Sequence, residues 1–82
     1  MSNWLVAEAE SALGGCLVAL RRFDEAEPLL TDSYTILKNR RAIQDTYTRL
    51  ATTRLVNLYQ AWGKPERAAQ YRKNKGKNRF RR

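Results

Sequence analysis

Apolar residues recur along this chain at the three- and four-residue spacing of α-helices, in four segments separated by short polar breaks. The pattern predicts helices over 4–21, 24–38 and 65–73, and a third helix that begins after an N-cap at Asp45 and ends at Trp62. Alternating apolar and polar positions, which are typical of strands, are not found. The sequence therefore predicts an all-α fold.

The first helix has apolar residues at the spacing of one helical face, which we expect to be its buried side. These residues are Leu5, Ala9, Ala12, Leu13, Cys16, Leu17 and Leu20. Cys16 is the one cysteine, so no disulfide forms within the chain, and we expect it to behave as a small core side chain. Gly14 and Gly15 weaken a helix, and their presence predicts that a second backbone approaches there.

Two segments of the chain match each other at a fixed offset of 42 residues. The matching pairs are Leu13 with Leu55, Leu17 with Tyr59, Ala19 with Ala61, Leu20 with Trp62, Ala26 with Ala68, and Leu29 with Tyr71. Gly63 suits the left-handed residue that ends a helix, and Pro65 suits the first turn of the next one. A fixed period of this length predicts two stacked, antiparallel helical hairpins, which form one domain over residues 1–73.

Positive charge is concentrated at the end of the chain. Residues 1–63 contain seven Lys or Arg and seven Asp or Glu, whereas residues 64–82 contain nine and one, which accounts for the whole net charge of +8. Residues 74–82 lack periodicity and acidic residues, so we expect a basic, disordered tail. Its cationic and aromatic residues are Lys75, Lys77, Arg79, Phe80, Arg81 and Arg82. Such a segment predicts weak, sequence-independent binding to nucleic acid or an anionic surface. The alternative is a tail that only keeps the protein soluble.

The composition argues against catalysis. The chain has no histidine, so the commonest general base is missing, and it has no glycine-rich phosphate loop. Asp24, Glu25 and Glu27 complement the dipole at the start of the second helix and need no role as metal ligands. We therefore expect no catalytic residue, no cofactor and no metal. The N-terminal residues do not resemble a secretory signal, and the longest apolar run is about half of a membrane span, so a soluble, cytoplasmic protein is expected.

Short motifs in both hairpins resemble tetratricopeptide repeats. The motifs are Leu13-Gly14-x-x-Leu17 with Phe23-Asp-Glu-Ala26, and Leu55-Val56-x-x-Tyr59 with Pro65-Glu-Arg-Ala68. The 42-residue period and residues 25–30 resemble the longer repeats of kinesin light chains. Residues 58–71 are similar to terminal repeats attached to some bacterial serine/threonine kinases. The resemblance covers about residues 7–73.

Several positions depart from the family pattern. Glu10 and Thr52 stand where the family has a tryptophan, and Val56 stands where it has a glycine. A HEAT- or armadillo-like arrangement has a compatible period and is the alternative. The turn at Gly63 and the small residues of the second helices favour the tetratricopeptide interpretation.

The resemblance implies a non-catalytic module for protein–protein interaction. In the family, the first helix of each repeat lines a groove that binds peptides. The matching positions in this chain are Ser11, Thr53, Arg54, Asn57 and Gln60. In many members an asparagine at the position of Asn57 binds the peptide backbone. A solvated polar face is the alternative interpretation.

The small number of repeats predicts self-association. Two repeats are fewer than a stable stack normally needs, and neither end of this chain has the polar surface of a capping repeat. Helix one is apolar on more than one side, and helix four is too short to cover helix three. We therefore expect a homodimer that buries apolar residues of helices one and three. The residues predicted to take part are Trp4, Leu5, Val18 and Tyr47.

Overall fold

Four helices form the fold in the computed structural model, which describes residues 4–41 and 45–76. They are α1 (Trp4–Ala19), α2 (Phe23–Arg41), α3 (Thr46–Ala61) and α4 (Pro65–Gly76). The described residues contain no strand. The predicted all-α fold of four helices in two antiparallel hairpins is therefore confirmed.

The third helix begins as its sequence predicts. Asp45 has extended backbone angles, and its carboxylate accepts a hydrogen bond from the Tyr47 amide, which is the geometry of an N-cap. Arg41 donates to the same carboxylate at 2.9 Å and holds the pKa of Asp45 below its usual value. The second helix continues through residues 39–41, beyond the end at residue 38 that the sequence predicts, and the cations of this last turn complement the helix dipole.

The last helix is longer than the sequence predicts. It ends at Gly76 rather than at residue 73, so the backbone of Lys75 is helical. The predicted tail residues Lys77, Arg79, Phe80, Arg81 and Arg82 lie outside the described residues. The predicted tail therefore begins no earlier than the end of α4.

The two hairpins repeat each other in structure as well as in sequence. The first and last residues of α1 precede those of α3 by 42 positions, and the same offset separates the starts of α2 and α4. Arg21 and Gly63, also 42 apart, both have positive φ, at 62° and 80°. In each turn the next amide donates to the carbonyl five residues back, at 2.8 and 2.7 Å. The chain therefore turns twice by the same helix-ending hydrogen bonds.

The core is centred on α3, which contacts α1, α2 and α4. Its buried apolar residues are Ala51, Leu55, Val56, Leu58 and Tyr59. They pack with Phe23, Ala26, Leu30, Tyr34 and Leu37 of α2 and with Ala68 of α4. Most of the apolar stripe of α3 is covered by these three helices, and Leu50, at 39%, is the part of the stripe that stays exposed, as expected from the short α4.

Aromatic rings attach α4 to the rest of the fold. The Tyr71 ring stacks on Tyr59 at 6.0 Å and meets the Tyr34 ring edge-on at 5.3 Å. Glu27 of α2 accepts hydrogen bonds from the Tyr59 hydroxyl at 2.8 Å and from Arg67 at 3.1 Å. One carboxylate thus links α2, α3 and α4.

Candidate interaction surface

The first helix is rotated relative to the orientation that its sequence predicts. Ala7, Ser11 and Gly14 are its buried residues. Leu5, Leu13 and Leu20, all predicted to face the core, are instead 64%, 53% and 65% exposed. The lone cysteine is exposed as well, so its predicted role as a core side chain is wrong.

Close packing against α2 explains this orientation. A Cβ on Gly14 would lie 2.6 Å from Cγ of Leu30, so a larger side chain could not occupy that position without displacing Leu30. The glycine does mark a close approach, but the neighbour is a side chain rather than the predicted backbone. Ala7, Ser11 and Gly14 therefore face inward, and Leu5 and Leu13 are left outside.

The outer side of α1 is entirely apolar, because every exposed residue of this helix is apolar. Leu20, which directly follows α1, is also exposed and extends this surface. We call the surface the α1 face, and its residues are Leu5, Val6, Ala9, Ala12, Leu13, Cys16, Ala19 and Leu20. The exposed residues of α2 are polar or charged apart from Pro28. Scattered exposed leucines are ordinary, but a whole helical face of apolar residues is typical of an interaction site.

The α3 helix, which corresponds to α1 in the repeat, has similar apolar positions that are covered by neighbouring helices. Leu13 corresponds to Leu55, and Cys16 corresponds to Leu58, at the offset of 42 residues. Both leucines of α3 are fully buried. The α1 face therefore has the pattern of a helix that is covered by other helices, but it is exposed in this chain.

The predicted peptide groove is partly closed by the chain itself. Ser11 is fully buried, and its hydroxyl accepts a hydrogen bond from Arg54 Nη1 at 2.9 Å. The same nitrogen lies 3.3 Å from the Glu8 carboxylate. These contacts join α1 to α3, so Ser11 and Arg54 act as a structural bridge rather than as an open peptide site.

The other groove residues lie on the surface of α3. Thr53 is half-buried and donates to the Arg49 carbonyl at 3.1 Å, while Asn57 and Gln60 are exposed. The structure therefore brings Ser11 and Arg54 together and leaves Asn57 and Gln60 available to solvent. A test of peptide binding should change Asn57, since replacing Arg54 would also break the bridge to α1.

Three of the four residues predicted to take part in self-association make contacts within the chain instead. The rings of Trp4 and Tyr47 lie 4.9 Å apart, and the Arg41 guanidinium sits 4.1 Å from the Trp4 centroid. Val18 is half-buried against the core. Leu5 alone belongs to the α1 face. Sequence reasoning missed Leu13 and Leu20 as surface residues because leucines at helical spacing normally face inward.

Two of the three acidic residues near the start of α2, Glu25 and Glu27, have partners within the chain. Glu25 pairs with Arg22 at 2.8 Å, and Glu27 bonds to Tyr59 and Arg67. Among residues 4–41 and 45–72, no group of three His, Cys, Asp or Glu side chains could hold a metal ion. No helix in the described part of the chain has both the length and the apolar character needed to cross a bilayer.

Comparisons with known proteins return no match: no family model, no curated protein and no solved structure is significantly similar to this chain.

Proposed function

We propose that this chain is a non-catalytic protein-interaction module of tetratricopeptide type, and that it docks onto helical partners through the α1 face. One observation carries the proposal. The exposed residues of α1 are all apolar, and the corresponding core positions of α3 are buried among helices. An apolar helix face in water is unfavourable unless another apolar surface covers it.

The arrangement of the helices supports the tetratricopeptide interpretation. Each hairpin turns with the same hydrogen bonds, and α3 packs on both helices of the first hairpin. In stacked repeats, each hairpin relies on its neighbour to bury its apolar side. The two hairpins are such neighbours here, and no other helix of the described chain covers the outer side of α1.

The packing of α3 also indicates the chemistry of the partner. Ala51, Leu55 and Leu58 of α3 are completely buried among apolar residues of helices. Ala9, Leu13 and Cys16 hold the corresponding positions of α1 and are exposed. We therefore expect the partner to present an apolar helical surface rather than an extended polar peptide.

The energy available suits reversible docking. Full burial of an exposed leucine contributes about 1.5–3 kcal/mol. Leu5, Leu13 and Leu20 are between 53% and 65% exposed, so each would add about 1–2 kcal/mol when covered. Association costs at least about 4 kcal/mol, so these leucines offset that cost only when the partner buries apolar surface of its own against them, and the complex should be weak and reversible.

Photocrosslinking tests the proposal directly. A photoreactive benzoylphenylalanine at position 13 should give cross-linked species in the purified protein or in cell extract. The same group at Asp32, exposed on α2, should give none above background. Leu20→Glu in the first protein should abolish its cross-links, because a carboxylate at the edge of the interface must be desolvated. Equal yields from positions 13 and 32 would contradict the proposal.

A further inference from the structure

We propose that the partner of the α1 face is a second copy of this chain, with the two α1 helices antiparallel about a two-fold axis that passes between Ala12 and Leu13. This inference rests on the proposed function and names its partner. In the dimer, the two copies lie on opposite sides of an apolar seam that is formed by their α1 helices.

The α1 face is complementary to itself in one antiparallel register. Its eight residues divide into four facing pairs with none left over: Leu5 with Leu20, Val6 with Ala19, Ala9 with Cys16, and Ala12 with Leu13. Small residues occupy most of the middle, and leucines occupy both ends. Small side chains allow two helix axes to approach to about 8 Å, and the end leucines then meet across the seam.

Charge favours the antiparallel direction over the parallel one. The N-terminal half of α1 contains Glu10 as well as Glu8, which is paired with Arg54, and Arg21 follows the C-terminus of α1. An antiparallel pair places the acidic end of each helix beside the basic end of the other, and it also opposes the two helix dipoles. A parallel pair would bring like charges together at both ends.

Head-to-tail stacking of copies is disfavoured by the surface of the second hairpin. That arrangement would place the α1 face against the outer side of α3 and α4. The exposed residues of these helices are mainly polar, including Asn57, Gln60, Glu66 and Gln70. An apolar face gains little against a polar one, whereas two α1 faces cover each other in a closed two-fold dimer.

The size of the face predicts a reversible dimer. A helix of 16 residues is about 24 Å long, and a stable interface buries about 800 Å² on each partner. One side of a single helix provides less than this. The dimer should therefore exchange with the monomer and be best detected by trapping it covalently.

The native cysteine provides a test of register. In the proposed dimer, Ala9 of one copy faces Cys16 of the other. The two Cys16 residues lie seven positions apart along the seam, which is about 10 Å and beyond the reach of a disulfide. For the same reason, residues 9 and 16 of a single copy cannot be bridged.

The experiment is air oxidation of Ala9→Cys, with the linked peptides identified by mass spectrometry. We expect a disulfide-linked dimer in which residue 9 joins residue 16, formed at least about tenfold faster than any cross-link in wild type, because of the register of the seam. Ala9→Cys with Cys16→Ala should not cross-link. Asp32→Cys, which adds a thiol on α2 instead, measures random collision.

Each outcome decides between arrangements. Rapid linkage of Cys16 to Cys16 in wild type would overturn the antiparallel register. No linkage above the Asp32→Cys control, with a monomeric mass up to about 500 µM, would overturn the second copy as partner. Photocrosslinks from position 13 to another protein would then leave the proposed function standing, and their absence would remove it as well.

Ala9 is exposed, so the substitution should leave the fold intact, as circular dichroism would show. If Ala9→Cys does not fold, Ala12→Cys with Cys16→Ala replaces it. In this second variant, position 12 of one copy would be offset from position 12 of the other by only about 1.5 Å along the helix axis. It should cross-link to itself, and failure to do so would equally overturn the register.

Discussion

The side chain of Leu30 lies 2.6 Å from the position that a Cβ on Gly14 would occupy. This contact sets the rotation of α1, because Leu30 is fully buried and cannot move away freely. Once Gly14 faces α2, Leu5 and Leu13 must face outward. The exposed apolar face of α1 is thus a consequence of the close packing of Gly14 on Leu30.

Gly14→Ala should destabilise the fold even though alanine is the better helix former. Overpacking costs about 1–3 kcal/mol, which exceeds the gain in helix propensity of about 1 kcal/mol. Gly15→Ala is the matched control, because its Cβ would meet Arg54 at an ordinary 3.6 Å. Urea denaturation should show opposite signs for the two variants. A stabilised Gly14→Ala would contradict the packing of α1 on α2.

Substitutions at the two residues with positive φ, Gly63 and Arg21, should change the stability of the fold in opposite directions. Gly63→Ala should lower the free energy of unfolding by about 1 kcal/mol, because a side chain is strained at φ of 80°. Arg21→Gly relieves the same strain, and the gain should be about 0.5 kcal/mol after the larger entropy of unfolded glycine is counted. Thermal denaturation measures both. A stabilised Gly63→Ala would show that the turns differ.

Tyr59 should make the fold sensitive to alkaline pH. Burial and the hydrogen bond to Glu27 raise its pKa from 10.0 to about 12. The unfolded chain therefore loses this proton first, so the free energy of unfolding falls as pH rises from about 10 to about 12. Tyr59→Phe should reduce this slope and cost about 1–2 kcal/mol at neutral pH. An unchanged slope would contradict the buried hydroxyl–carboxylate contact.

Nucleic-acid binding through the end of the chain stays a prediction that truncation can test. A chain that ends at Gly76 keeps all four helices and lacks Lys77, Arg79, Arg81 and Arg82. The full chain should bind DNA or RNA weakly at about 50 mM salt and lose binding by about 200 mM. Equal retention of the shorter chain at low salt would exclude the tail from such binding.

Sequence periodicity was sufficient for the helices but not for the orientation of α1. The Asp45 cap, the Gly63 turn and the 42-residue offset are local signals, and each is confirmed by the backbone. In α1, apolar residues occur on both sides, so spacing could not decide which side is buried. Which side of α1 is buried depends on the close packing of Gly14 against Leu30, which is a tertiary contact with α2.

The bridge between Arg54 and Ser11 could not be predicted from either helix alone. The two residues are 43 positions apart, and their hydrogen bond depends on how α1 and α3 pack. A polar stripe on a helix is equally consistent with a ligand site and with an internal bridge. The repeat offset did contain a usable signal, since α1 and α3 have similar apolar patterns and α3 has more neighbours.

The central claim is that two copies of the chain associate through the α1 face, and sedimentation equilibrium with Leu13→Glu and Leu50→Glu tests it most directly. Leu50 is the matched control, because it is a partly exposed leucine, at 39%, on α3. From about 10 to about 500 µM, wild type and Leu50→Glu should rise above the mass of one chain, whereas Leu13→Glu should remain at that mass with its helicity intact. A wild-type protein that stays at the mass of one chain, or association that Leu50→Glu abolishes and Leu13→Glu leaves unchanged, would contradict the account.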